Sequence, residues 1–179
     1  MTFKSGKKVA EHVTQADGEK VPEEQIETHG VELTVDKIFQ LDGLAVVKEG
    51  DYKKAPRKEP RVRDPRSYEV EGQDVNVDNE HYLLTDSAYA VLYNEKIHIP
   101  DKHTGLVFPR SRFIRNNAHI STAVWESGYV GRGEGGLHIN GPTVIEKGMA
   151  VAQFTLCKAS VLKKYDGSHQ GERVENTDE

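Results

Sequence analysis

The chain has 179 residues, enough for one domain with a sizeable core; 36% are hydrophobic and 30% charged, and the formal net charge is -5. That balance excludes global recruitment by nucleic acid or an acidic membrane, and no apolar run approaches the ~18 residues of a membrane span. The single cysteine, Cys157, excludes an intrachain disulfide, and the N-terminal residues carry no apolar leader-like region, so a cytoplasmic protein is expected.

Ser5 is placed to cap a short amphipathic helix carrying Val9, Ala10 and Val13. In "VELTVDKIF" the residues Val31, Leu33 and Val35 alternate with polar ones, which is strand periodicity. Residues 50–66 have three prolines and no apolar periodicity; from Lys53 to Arg66, seven Lys/Arg face Glu59 and Asp64, a local net of +5. This is either a solvated loop or a patch for a polyanion, and Tyr52 is its only aromatic neighbour.

From 68 to 161, short alternating runs such as "HYLLT", "YAVLYNEKIHIP", "GLVFPR" and "MAVAQFTL" are separated by Gly, Pro, Asn or Asp. Several closely spaced short strands predict an all-β sandwich or barrel rather than a parallel sheet with crossover helices. Arg112–Asn117 fits one helical turn. The last fourteen residues carry five acids and one arginine and read as a mobile tail, so the expected organisation is one β domain over 1–164 and a flexible segment over 165–179.

Gly131–Gly136 matches G-x-G-x-x-G, the dinucleotide-binding pattern, but that pattern needs a helix opening on its last glycine. Here Asn140-Gly141-Pro142 makes a turn and the flanks read as strands, so the glycines are assigned to a tight hairpin with close backbone approach. The eight histidines show no metal-ligand spacing, and Cys157 has no partner motif, so it reads as a packed thiol.

Four stretches in order, "VFPRSRFIR" (107–115), "AVWESGYVG" (123–131), "KGMAVAQF" (147–154) and "YDGSHQGE" (165–172), resemble the superfamily of dUTP diphosphatases and dCTP deaminases. "THGVELTVDKIF" (28–39) and "IHIPDKHTG" (97–105) agree with its N-terminal half, and the likeness falls in the branch of diphosphatases closest to the deaminases. The resemblance implies a distorted β-barrel or jelly roll, a homotrimer with active sites between subunits, and hydrolysis of dUTP to dUMP and pyrophosphate, which keeps uracil out of DNA.

The resemblance also assigns roles. Glu126 stands where the diphosphatases carry a catalytic carboxylate, usually aspartate, that activates the attacking water. Tyr129 matches the aromatic under the deoxyribose. Arg110 and Ser111 match a phosphate-binding pair, with Arg112 where a second serine is usual, and Gln153 matches a glutamine near the nucleotide. Tyr165, His169 and Gln170 fall in a segment that folds over the triphosphate. Mg²⁺ would travel mainly on the phosphate oxygens, so no protein-built metal cage is expected.

The deaminases need a glutamate five residues after the glycine matching Gly131, and that position holds Gly136. Arg115 resembles the arginine beside that glutamate and is retained as a candidate catalytic residue. Glu134 shares a strand face with Gly136 but lies ~6.6 Å along it, so only a bulge would bring it into place. Diphosphatase chemistry is the favoured expectation. The alternatives are dCTP deamination, alone or combined with it, and a non-catalytic nucleotide-binding regulator of the same fold.

Overall fold

The computed structural model describes residues 2–160 and 163–174. It opens with β1 (Thr2–Phe3), helix α1 (Gly6–Ala10) and β2 (Val13–Thr14). Ser5 occupies the N-cap position of α1 with an extended backbone, but its side chain makes no cap bond. The helix is only five residues long, so Val13, expected on its apolar face, instead begins β2.

β3 (Ile26–Glu27) leads into β4 (Gly30–Leu41), the longest strand. Val31, Leu33 and Val35 alternate into the core as their spacing predicts, but the next core residue is Ile38, three positions on. The register explains the change of phase: Leu92 pairs with Lys37 while Tyr93 pairs with Val35, leaving Asp36 as the extra residue of a β-bulge. Each of these four buried side chains contributes roughly 1.5–3 kcal/mol through burial.

The segment read as an open loop is built from short pieces. β5 (Val46–Lys48) and β6 (Asp51–Lys53) form a hairpin, β7 (Arg57–Lys58) pairs with the end of β4, and β8 (Val62–Arg63) lies on a small sheet. β9 (Arg66–Val70) and β10 (Gln73–Val77) make a second hairpin. These pieces escape a periodicity reading because two or three residues are too few to show alternation, and most are exposed.

β11 (His81–Leu84), β12 (Ser87–Tyr93), β13 (Lys96–His98) and β14 (His103–Pro109) follow. Helix α2 (Ser111–Ile114) is the turn expected near 112–117, but it stops early. Arg115 caps it, and Asn117 takes a left-handed backbone with φ 57° that a helix cannot continue. The chain ends with β15 (Ala118–Ser121), β16 (Val130–Gly131), β17 (Glu134–Ile139), β18 (Thr143–Glu146) and β19 (Ala150–Lys158).

The main sheet runs β1-β19-β4-β12-β17-β15, with β14 added to β19 and with β3 and β7 added to β4. Every pairing is antiparallel, and the two short α-helices are peripheral, so the architecture is all-β as expected. Apolar side chains of β4, β12, β14, β17 and β19 fill one core together with Tyr82, Tyr93 and Trp125. Cys157 lies in it as a fully buried thiol whose pKa is pushed up by desolvation, which suits packing rather than nucleophilic attack. No helix among the described residues is long and apolar enough to cross a membrane.

Candidate functional site

The stretch from Trp125 to Glu134 forms one wall of a cavity of about 450 Å³. Trp125 pairs with Gly105 of β14 through reciprocal backbone bonds, which fixes the wall to the main sheet. The six-membered ring of Trp125 packs against Gly133, where any Cβ would collide with the indole. Gly133 is therefore a seat for an aromatic ring, and no phosphate-binding role is needed to explain it. Arg132 anchors the same wall from behind: its guanidinium donates to the Tyr93 carbonyl at 3.0 Å and to the carboxylate of Asp36, the residue extruded by the β4 bulge. The bulge thus aims an acid at the loop that carries the site.

Glu126 is exposed on the cavity wall, and its carboxylate makes no hydrogen bond or ion pair with another described residue. It is free to engage a ligand or water. Tyr129 is 7% exposed, with its ring edge-on to Trp125 at 5.3 Å and to Tyr165 at 5.8 Å. Its hydroxyl donates to Glu172 Oε1 at 3.0 Å. Burial, then the Glu172 carboxylate, holds this phenol far above its ordinary pKa, so it remains neutral and a donor.

The C-terminal segment is docked on the cavity. Tyr165 N–H donates to the Ser127 carbonyl at 2.8 Å, and Gly171 N–H to the Val130 carbonyl at 2.8 Å. Gln170 bridges the wall: its Nε2 donates to the Gly128 carbonyl at 3.0 Å and its Oε1 accepts from Val130 N–H at 3.2 Å. His169 lines the cavity, with Nδ1 3.2 Å from Glu172 Oε2. The part of the expected tail beyond Val174 lies outside the described residues.

Glu126, Tyr129, Tyr165, His169 and Gln170 are thus brought together. The remaining candidates are not. Arg110 donates to Gln153 Oε1 at 3.1 Å and to Glu27 at 2.7 Å, and also pairs with Glu32 at 2.9 Å. Ser111 is exposed at the start of α2, Arg112 reaches Glu32 at 4.0 Å, and Arg115 is exposed at the end of α2. Arg110 follows the last residue of β14, and none of Arg110, Ser111, Arg112, Arg115 and Gln153 lines the cavity. Within one chain, the cationic group and the carboxylate cavity are separate.

The cavity also has residues that sequence reasoning missed. Tyr52, Lys54 and Arg57 come from the basic stretch and line it, while most of that stretch is exposed. Its charge and its one aromatic were the available signals, but nothing local showed which surface it would fold against. Glu172 was quoted in the tail motif without a role, and here it receives the Tyr129 hydroxyl.

Gly136 faces Ser121, with an ideal Cβ only 2.5 Å from Ser121 Oγ. β17 pairs with β12 in unbroken register, Glu134 with Leu92, Gly135 with Val91 and Gly136 with Ala90. The bulge needed to carry Glu134 into the position of Gly136 is absent. Glu134 Oε1 instead accepts from Arg57 at 2.6 Å and from Arg173 at 2.7 Å.

Residues 3–159 match the family described as dCTP deaminase-like. The probable deoxyuridine 5'-triphosphate nucleotidohydrolase of Halobacterium salinarum is 34% identical over 181 residues, covering 97% of this chain and 96% of that protein. The deoxyuridine 5'-triphosphate nucleotidohydrolase of Methanocaldococcus jannaschii is 30% identical over 154 residues, covering 86% of this chain and 92% of that one. Among solved structures, the 2'-deoxycytidine 5'-triphosphate deaminase of Agrobacterium tumefaciens aligns with a TM-score of 0.52 at 14% identity, over 82% of this chain and 43% of that chain, a likeness of fold. On the family match and these full-length relatives, the chain belongs to the superfamily of dUTP diphosphatases and dCTP deaminases.

Proposed function

We propose that the protein hydrolyses dUTP to dUMP and pyrophosphate. The observation that carries this reading is the unengaged Glu126 carboxylate on a cavity floored by Tyr129, in a chain whose full-length relatives bear the nucleotidohydrolase name. A carboxylate free of partners on the cavity wall is suited to orient a water and take its proton as the water attacks the α-phosphorus. The Tyr129 ring, fixed edge-on between Trp125 and Tyr165, offers a flat apolar surface for a deoxyribose. Tyr165, His169 and Gln170 hold the C-terminal segment against the cavity and limit its exchange with bulk water.

The triphosphate needs cations beyond those of the cavity. Arg110, Ser111 and Gln153 form a cluster that suits phosphate oxygens, but none of them lines the cavity. A homotrimer in which one copy's Arg110 cluster faces another copy's cavity would complete the site. Arg112 adds a further cation at the edge of that cluster, and Arg115 one more at the end of α2.

Mg²⁺ suits this donor set as an ion carried by the substrate. Among the described residues no three His, Cys, Asp or Glu side chains converge, and Glu126 is a hard oxygen donor left unspent in the cavity. When bound, the ion would neutralise phosphate charge.

Deamination of dCTP is the other reaction known in the superfamily, and the geometry disfavours it. Gly136 has no side chain to move a proton, and the Glu134 carboxylate is spent on two arginines. A purely regulatory binder is disfavoured too, because an unpaired carboxylate beside the α-phosphate would repel the ligand it was meant to hold. Incubation with Mg²⁺ and either dUTP or dCTP, followed by separation of the products, tests the reading. Conversion of dUTP to dUMP with dCTP untouched is expected; dUTP appearing from dCTP, or tight binding of dUTP without turnover, would overturn it.

A further inference from the structure

The basic stretch and the C-terminal segment are far apart in sequence and meet over the same cavity. Arg57, on β7, and Arg173, in the C-terminal segment, both donate to Glu134 Oε1, at 2.6 and 2.7 Å. Arg173 also reaches Glu172 Oε2 at 3.3 Å and the Arg132 carbonyl at 3.1 Å. Two arginines and two glutamates therefore form a charge-balanced network. The side chains of Glu134, Arg173 and Arg57 are 18%, 18% and 28% exposed, so the network is more shielded than an ordinary surface pair, and removing one member leaves the others poorly solvated.

Little else joins the two segments. The other hydrogen-bond contact between them among the described residues is Tyr52 Oη to His169 Nε2, at a long 3.4 Å. Glu134 itself sits on β17, whose register is locked to β12. It is therefore a rigid post to which two separate covers are tied.

We infer that Glu134 is a positioning residue, a latch that fastens the 51–58 arm and the C-terminal segment to β17 so that together they close the cavity over Glu126. The sequence raises Glu134 as a substitute proton shuttle, but its geometry assigns it to holding the site shut. Its effect on turnover rests on the dUTP reading given above; its effect on the docking of the two covers does not.

The test compares Glu134→Gln, Arg57→Met and Arg173→Met with the unaltered protein. Two readouts need no substrate. Chymotryptic cleavage after Tyr165, which packs on Tyr129 when the segment is docked, should become about tenfold faster in Glu134→Gln, because cleavage follows the population of the undocked state. Trp125, the chain's single tryptophan, lines the cavity and should shift its emission to the red. With dUTP, KM should rise about tenfold while kcat stays within about twofold, the size expected for losing one charge-assisted contact to a cover. Arg173→Met should produce the same changes, and adding it to Glu134→Gln should cost less than it does alone, since the tie to Glu134 is already cut and only the bonds to Glu172 and the Arg132 carbonyl remain to be lost. Arg57→Met should redden Trp125 emission and raise KM in the same direction. Unchanged cleavage and unchanged emission in Glu134→Gln would overturn the latch. So would a loss of kcat at constant KM, which would return Glu134 to proton transfer. If dUTP is not turned over at all, cleavage and emission still decide the matter.

Discussion

Glu126→Gln should lower kcat for dUTP by ~10²–10⁴, the usual worth of a positioned general base, while KM stays within a few-fold. Glutamine keeps the size and shape of the side chain and loses the ability to take a proton. Because the Glu126 carboxylate has no hydrogen-bond or ion-pair partner among the described residues, nothing in the fold depends on it, and the melting temperature should not move. The substitution therefore separates chemistry from stability more cleanly than most active-site changes. Turnover close to that of the unaltered protein would place the base elsewhere, with Glu172 the next carboxylate on the cavity wall.

Arg110→Gln should lower kcat/KM by ~10² or more, since a fork of donors to phosphate is lost. Some loss of stability should accompany it, because Glu27 and Glu32 would then face each other without their shared counter-ion. Mixing it with Glu126→Gln is the more informative experiment. If each site takes its carboxylate from one copy and its arginine from another, mixed homotrimers of the two inactive variants should regain about one third of normal activity, as one site in three has both groups intact. If both groups act within one chain, every site remains broken and mixing restores nothing. Co-expression of two differently tagged chains, followed by purification on both tags, provides the mixed assembly.

Several parts of this fold are legible in the sequence. The alternation of Val31, Leu33 and Val35 marks β4, because a strand with one buried face must alternate. The same pattern misses the bulge, since a phase change at Asp36 depends on how Tyr93 pairs from a distant strand. The turn Asn140-Gly141-Pro142 rejects the dinucleotide reading of Gly131–Gly136, and the seat under Trp125 shows what Gly133 is for.

The site was legible where motif residues are close in sequence, as with Glu126 and Tyr129, and through the resemblance for the C-terminal segment. Two things were not legible. One is that the basic stretch folds over the cavity, with Arg57 tied to Glu134 seventy-seven positions away, a contact that no local pattern encodes. The other is the gap between the Arg110 cluster and the cavity. Both carry motif residues at ordinary spacing, yet none of Arg110, Ser111 and Gln153 lines the cavity that holds Glu126 and Tyr129.

The most direct test of the proposed chemistry is hydrolysis of dUTP with Mg²⁺ in ¹⁸O-labelled water, followed by mass analysis of both products. A water directed by Glu126 onto the α-phosphorus puts the heavy oxygen into dUMP and leaves pyrophosphate unlabelled. Label in pyrophosphate, or release of orthophosphate instead, would contradict the proposed attack and the role given to the carboxylate.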